Sequence, residues 1–213
     1  MTILNELRGF RNFPELDILI QSLVDNEGSS MAAILDLKYH LERTNYRVLG
    51  NGLYGITFQP PTRNYVIKIY IRDSGYDAAT RIMKKNQHDP HIPKIIWGPA
   101  TVNHQRDIKA IVLEQLLPLK SEAIRDTIHY LRYGFDKIEY HDFKLDLVSA
   151  ERKIFSNFKS DPASGEIGMQ FFKDIWPTLH KFYSKDRSLY FDLHPGNFMQ
   201  RPDGTVVVTD PLV

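Results

Sequence analysis

Phe191-Asp192-Leu193-His194-Pro195-Gly196-Asn197-Phe198-Met199 concentrates more chemically informative residues than any other segment of this chain. Aspartate, proline, glycine and asparagine crowded between positions 192 and 197 specify a loop. The apolar residues that follow begin a short strand over 198–200, and a second is expected over 206–209, beyond the turn Arg201-Pro202-Asp203-Gly204. Asp210 ends that second strand. An acid and an amide five residues apart, with another acid on a neighbouring strand, are the side-chain types that phosphoryl transfer uses. One carboxylate orients a hydroxyl and accepts its proton, while an amide oxygen and a second carboxylate hold a divalent cation against phosphates. A plain polar turn uses the same residue types, so the loop must be weighed with what precedes it.

Upstream stands Gly50-Asn51-Gly52-Leu53-Tyr54-Gly55. Such a glycine pattern either leads a strand into a helix under a dinucleotide, joins two antiparallel strands over phosphates, or is an ordinary hairpin. Ile56-Thr57-Phe58 follows, which favours a strand over a helix. One strand later comes Val66-Ile67-Lys68. A lysine in an apolar strand either faces solvent or meets an anion, and its ammonium suits the α- and β-phosphates of a nucleotide. Glycine loop, strand, lysine, then the Asp192–Asn197 loop and Asp210 is an order that an ATP-using phosphotransferase needs.

The rest of the chain organises around these points. It has 213 residues, 42% hydrophobic and 25% charged, which suits one compact domain or two small lobes and argues against disorder. A net charge of +1 argues against bulk electrostatic binding to nucleic acid. With no cysteine there is no disulfide, thiolate nucleophile or cysteine zinc site. The first residues lack the apolar core and cleavage site of a signal peptide, and no apolar run approaches the length of a membrane span.

Periodicity divides the chain into three blocks. Residues 14–43 read as two helices, one with Leu16, Leu19, Ile20 and Leu23 on a face, the other with Ile34, Leu37 and Leu41. Strands are expected at 46–49, 56–59, 65–71, 94–97 and 110–116, with a helix over 76–85. From 121 the pattern is helical, clearest over 168–183, before the two closing strands. Strands first and helices second make an α+β chain. The boundaries are expected at 1–45 for a helical extension, 46–117 for a sheet lobe and 118–213 for a helical lobe. Trp97 and Trp176 read as core, Lys84-Lys85 as a solvated helix end, and His88-Asp89-Pro90-His91 as a surface loop.

Taken together, Leu-Gly-Asn-Gly-Leu-Tyr-Gly (49–55), Tyr-Val-Ile-Lys (65–68), Phe-Asp-Leu-His-Pro-Gly-Asn-Phe-Met (191–199) and Val-Thr-Asp-Pro (208–211) resemble the protein kinase superfamily. The joint pattern is most similar to the seryl/threonyl protein kinases of T7-like bacteriophages, from about residue 46 onward. That resemblance implies a two-lobed kinase-like fold, with a small antiparallel-sheet lobe, a truncated helical lobe and the N-terminal helices in addition. It implies ATP as phosphate donor, Mg2+ as metal, and host bacterial proteins as substrates or targets, in the cytoplasm of the infected bacterium. No membrane association or direct nucleic-acid binding is expected.

The resemblance also implies roles by position. Gly50, Asn51, Gly52 and Gly55 cover the phosphates, while Leu49 and Val66 enclose the adenine. Lys68 contacts the α- and β-phosphates, and Glu114 to Leu116 form the hinge that hydrogen-bonds the base. Asp192 is the catalytic base, His194 contacts the γ-phosphate, and Asn197 and Asp210 are the metal ligands. Three departures stand out. No glutamate occurs in 73–85 to pair with Lys68, leaving Asp73 or Asp77. Tyr190-Phe191 stand where protein kinases have His-Arg, so control by activation-loop phosphorylation is not expected. Pro211 and Leu212 follow the metal aspartate in place of glycine, and an activation segment is expected to be missing. Two other readings remain open: a small-molecule kinase of the aminoglycoside or choline type, and a catalytically weak, pseudokinase-like protein that binds and inhibits a host factor.

Overall fold

Strand Tyr65–Ile71 carries isoleucine at 67, 69 and 71 and Val66, Lys68 and Tyr70 at the alternate positions, so side-chain alternation gives it two different faces. A computed structural model describes this strand and its surroundings, covering residue 13 and residues 30–103, 107–135, 162–182 and 191–212. In chain order the elements are α1 (Ser30–Arg43), β1 (Arg47–Asn51), β2 (Gly55–Gln59), β3 (Tyr65–Ile71), α2 (Ser74–Lys85), β4 (Ile95–Asn103), β5 (Ile108–Glu114), β6 (Leu117–Pro118), α3 (Glu122–Phe135), α4 (Pro162–Phe182), a 3-10 turn (Pro195–Asn197), β7 (Phe198–Gln200) and β8 (Val206–Val208). The chain is α+β, as expected. The helix read near Leu16–Leu23 lies outside the described residues.

Contacts divide the described residues into two units: those up to Ser74 with Lys94–Gln115, and Gly75–Pro93 with Leu116 onward. The first unit is an antiparallel sheet in the order β1-β2-β3-β5-β4. Ile67 pairs with Phe58 and Val112, and residues directly opposite in an antiparallel pair share a face. Those three side chains, with Ile69, Ile71, Ile56 and Ala110, form one buried cluster with Ala33, Ile34, Leu37 and Leu41 of α1. The face of α1 read from the sequence is therefore the face that closes this core. Phe13 completes it edge-on, its ring centroid 5.3 Å from that of Tyr65.

Several strand boundaries differ from the sequence reading by a residue or two, and the ends of β4 and β5 change the pairing. β4 continues past Trp97, where the strand was expected to stop, through Gly98-Pro99 to Asn103. Its register against β5 shifts between Trp97 and Ala100, and Gly98 sits at φ +84°, a bulge that lets the pairing resume. A side chain at Gly98 would also meet the Ala110 carbonyl at 2.8 Å. β5 stops at Glu114 rather than reaching residue 116, and Leu117–Pro118 pairs instead with Met199 and Gln200.

The second unit holds α2, α3, α4 and the sheet β6-β7-β8. Ser121 caps α3, its Oγ accepting from Ile124 N at 3.3 Å. α4 begins before Gly168 and runs through Pro177, which lies on the exposed face, where its missing N–H and ring face water. Phe171, Phe172, Ile175, Trp176 and Leu179 make the buried face of α4, and Phe171 meets Phe198 of β7 with centroids 6.3 Å apart. Trp176 is core, as read from the sequence. Among the described residues no helix is long and apolar enough to cross a membrane.

Candidate active site

In the second unit, Asp192, His194, Asn197 and Asp210 lie on two segments bound to each other. Asn197 N donates to the His194 carbonyl at 2.8 Å, closing the 3-10 turn that Pro195 starts. Asn197 Nδ2 donates to the Asp192 backbone carbonyl at 2.8 Å and to its Oδ2 at 2.9 Å. Both are acceptors, so only the amide nitrogen can face them, and the amide orientation is determined. Asn197 Oδ1 and Asp192 Oδ1 are left with no hydrogen-bond partner among the described residues. The loop thus holds an amide oxygen and a carboxylate oxygen in reserve, on groups that are only half-buried.

His194 is held by its own turn. Its Nδ1 accepts from Gly196 N at 3.0 Å, which requires the tautomer with the proton on Nε2. The ring is exposed, and Nε2 is the donor it presents. A Cβ on Gly196 would lie 3.1 Å from His194 Nδ1, so a side chain there would press on the imidazole.

Asp210 follows β8, which pairs with β7 in the register Phe198↔Val208, Met199↔Val207 and Gln200↔Val206. The hairpin between them turns at Gly204, at φ +91°, with Gly204 N donating to the Arg201 carbonyl at 3.0 Å. Asp203 in that turn accepts from Thr205 N at 2.9 Å; the Thr205 backbone and side-chain hydrogen bonds hold its carboxyl below the usual carboxylate value. On either side of Asp210 the backbone is tied to the Asp192–Asn197 loop. Thr209 N donates to the Asn197 carbonyl at 2.8 Å, and Asp192 N donates to the Pro211 carbonyl at 2.9 Å.

The far edge of β8 is supported by a residue that the sequence reading placed in a surface loop. His91 N donates to Asp89 Oδ1 at 2.8 Å, the His91 carbonyl accepts from Val208 N at 2.9 Å, and its Nδ1 donates to the Val206 carbonyl at 2.7 Å. Asp89 is buried, and its Oδ2 accepts from Thr178 Oγ1 at 2.8 Å and Lys181 Nζ at 2.6 Å, both on α4. Burial opposes its ionisation, but hydrogen bonds from Lys181, His91 and Thr178 outweigh that and hold the carboxyl below its ordinary value. Arg201 binds the same loop, donating to the carbonyls of Pro90 and Ile92. His88 and Pro90 are exposed, as expected of a surface loop, but Asp89 is buried and with the half-buried His91 braces α4 against β8. An aspartate in a polar tetrapeptide carries no sequence mark of burial; its partners lie 89 and 92 residues away.

The first unit holds the other expected residues. Gly52 N donates to the Gly55 carbonyl at 2.9 Å, so the glycine segment is the connection of a β1–β2 hairpin. The three glycines differ. A Cβ on Gly55 would meet the Ile69 carbonyl at 2.8 Å, so packing of β2 on β3 demands glycine there. A Cβ on Gly50 or Gly52 would meet nothing within 4 Å. Leu49, Asn51, Leu53 and Tyr54 are exposed around them. Lys68 pairs with Thr57 and Ile111, and Val66 with Leu113, all on the sheet face opposite α1. Glu114 staples β5 to β4: its N donates to the Lys94 carbonyl at 3.0 Å and its Oε1 accepts from Lys94 N at 2.8 Å. Leu116 is buried in the second unit.

The family described as bacteriophage T7 protein kinase 0.7 matches residues 22–213, nearly the whole chain. The chain belongs to that family. Comparison with individual curated proteins gave no match. Membership makes the chain kinase-type and of bacteriophage character, and a kinase family implies ATP as phosphate donor, usually with Mg2+. The donor set of the second unit fits such a metal. Mg2+ takes oxygen ligands, commonly one or two protein groups completed by phosphate oxygens and water. The amide oxygen of Asn197, turned away from Asp192 by its own nitrogen, with Asp210 on the adjoining segment, is a set of that kind. Among the described residues no three His, Asp or Glu side chains cluster as a metal cage, and an ion held jointly with phosphates requires none.

Proposed function

We propose that the chain is an ATP- and Mg2+-dependent protein kinase, kinase-like in its two-lobed architecture, that phosphorylates serine or threonine of host bacterial proteins during phage infection. The observation that carries the reading is the Asp192–Asn197 pair, in which each side chain commits one end to the other and leaves one oxygen unengaged. Asp192 Oδ1 receives the proton of the attacking hydroxyl. The hydroxyl oxygen bonds to the γ-phosphorus as the bond to the bridging oxygen breaks, and ADP carries away that electron pair. Asn197 and Asp210 would hold the metal, which would neutralise charge on the phosphates. His194 offers its Nε2–H to a γ-phosphate oxygen, and Lys68 supplies its ammonium to the α- and β-phosphates. Gly50, Asn51, Gly52 and Gly55 cover the phosphates. Their open surroundings at 50 and 52 support this, since the fold itself does not need glycine there. Leu49, Val66, Glu114 and Leu116 enclose the base, and the site of action is the host cytoplasm.

The test is incubation with radiolabelled ATP and Mg2+, with and without bacterial lysate. Label on many lysate proteins, released as phosphoserine and phosphothreonine, is the expected result. Label confined to small metabolites would favour the small-molecule reading. Neither label nor ATP-dependent thermal stabilisation would favour a binding protein. Full labelling by Asp192→Ala would remove the assigned mechanism.

A further inference from the structure

Thr209 uses both of its donors on one acceptor. Its N–H reaches the Asn197 carbonyl at 2.8 Å and its Oγ1 reaches the same oxygen at 3.0 Å, occupying both lone pairs. Burial does not force this second bond, because Thr209 is half-exposed and its hydroxyl has water available. Val206–Val208 precede it, so valine suits the strand at least as well as threonine does, yet the position holds a hydroxyl. One residue on from Asp210, the Pro211 carbonyl accepts from Asp192 N, and Leu212, buried, forms an antiparallel bridge with Phe191. Asp210 is thereby flanked by two residues that are each tied to the loop bearing Asp192 and Asn197.

We infer that Thr209 is a positioning residue whose hydroxyl sets the spacing between Asn197 and Asp210, so that the metal site is assembled before ATP arrives. This role rests on the kinase reading above. Asn197 is gripped at three points: its N–H by the His194 carbonyl, its side chain by Asp192, its carbonyl by Thr209. A shift of that carbonyl moves the amide oxygen with it. Groups that orient metal ligands typically contribute about 10–100-fold to metal affinity. Since the Thr209 N–H bond survives loss of the hydroxyl, the lower end, about tenfold, is the expected effect.

The experiment titrates Mg2+ into the full chain at saturating ATP and follows thermal stabilisation. Mn2+ binding to the ATP-loaded protein, read by electron paramagnetic resonance, is a second measure independent of activity. Thr209→Val is expected to raise both midpoints about tenfold while kcat at saturating metal stays within about twofold. Thr209→Ser, which keeps the hydroxyl, is expected to titrate as wild type. A Thr209→Val midpoint within twofold of wild type overturns the inference, and so does a Thr209→Ser midpoint displaced as far as that of Thr209→Val. Should valine crowd the carbonyl and prevent folding, Thr209→Ala removes the hydroxyl without added bulk and is judged by the same criterion. A wild type with no metal-dependent ATP stabilisation removes the kinase reading and this inference with it. A normal wild type with an unaltered variant removes this inference alone.

Discussion

Replacing Asp89 with alanine should weaken the second unit more than replacing either of its α4 partners, because it removes three hydrogen bonds at once. The carboxylate accepts from His91 N, Thr178 Oγ1 and Lys181 Nζ. All three bonds go to an ionised carboxylate, and hydrogen bonds to charged groups contribute about 1.5–3 kcal/mol each. The Asp89 side chain is 5% exposed but that of Lys181 is 34% exposed, so water recovers part of the lysine's loss and the lower end of that range applies. The sum is about 4.5 kcal/mol at neutral pH, or a fall in Tm of about 9–18 °C for a chain of this length. The sign of the pH dependence follows from the lowered folded-state pKa. The stabilisation is fully present above the unfolded value near 3.8 and is lost as pH falls through the folded value beneath it. Urea unfolding of wild type and Asp89→Asn should therefore show a constant gap from pH 7 to pH 5 that narrows below about pH 4. An Asp89→Ala variant within about 0.5 kcal/mol of wild type would refute the reasoning, because that is the range of a surface substitution. A gap that widens on acidification would refute it equally. Because His91 also lines the edge of β8, the same variant should lose catalytic activity at temperatures where it remains folded.

Three further outcomes are expected. Gly55→Ala forces a Cβ to within 2.8 Å of the Ile69 carbonyl and should cost about 1–3 kcal/mol in unfolding experiments, whereas Gly50→Ala meets nothing and should leave stability unchanged while raising KM for ATP. Asn197→Asp replaces an N–H donor at 2.9 Å from Asp192 Oδ2 with a second carboxylate; phosphoryl-transfer assays against pH should show kcat reduced at least about 100-fold at neutral pH, with the acidic limb moved upward by the like-charge pair. Gly196→Ala presses on His194 Nδ1 at 3.1 Å and should lower kcat without changing Tm by more than about 3 °C, measured by steady-state kinetics beside thermal melts.

Much of the local structure could be read from residues alone, because it is written in local chemistry. Ile34, Leu37 and Leu41 repeat at helical spacing and do bury one face of α1. The turn at Arg201–Gly204 and the strands around it follow from proline, glycine and β-branched residues within a few positions. The strand expected to stop near Trp97 illustrates the opposite case: cross-strand pairing with β5 carried β4 through a proline that local preference treats as an end.

Residue types and their order carry the kind of chemistry: an aspartate, an asparagine and a second aspartate at loop and strand-end positions, with glycines and a lysine upstream in order. That much follows from residue type and spacing, which no packing can alter. Which atoms are committed and which are left over emerges from folding alone. The amide nitrogen of Asn197 is engaged by Asp192 because the 3-10 turn brings position 197 back over position 192. Gly55 is glycine for the sake of β3 while Gly50 and Gly52 are not, a distinction set by neighbours that lie on another strand. Asp89 became a brace, and Thr209 a clamp, through partners brought close by folding, since hydrogen bonding depends on distance in space and not on separation along the chain.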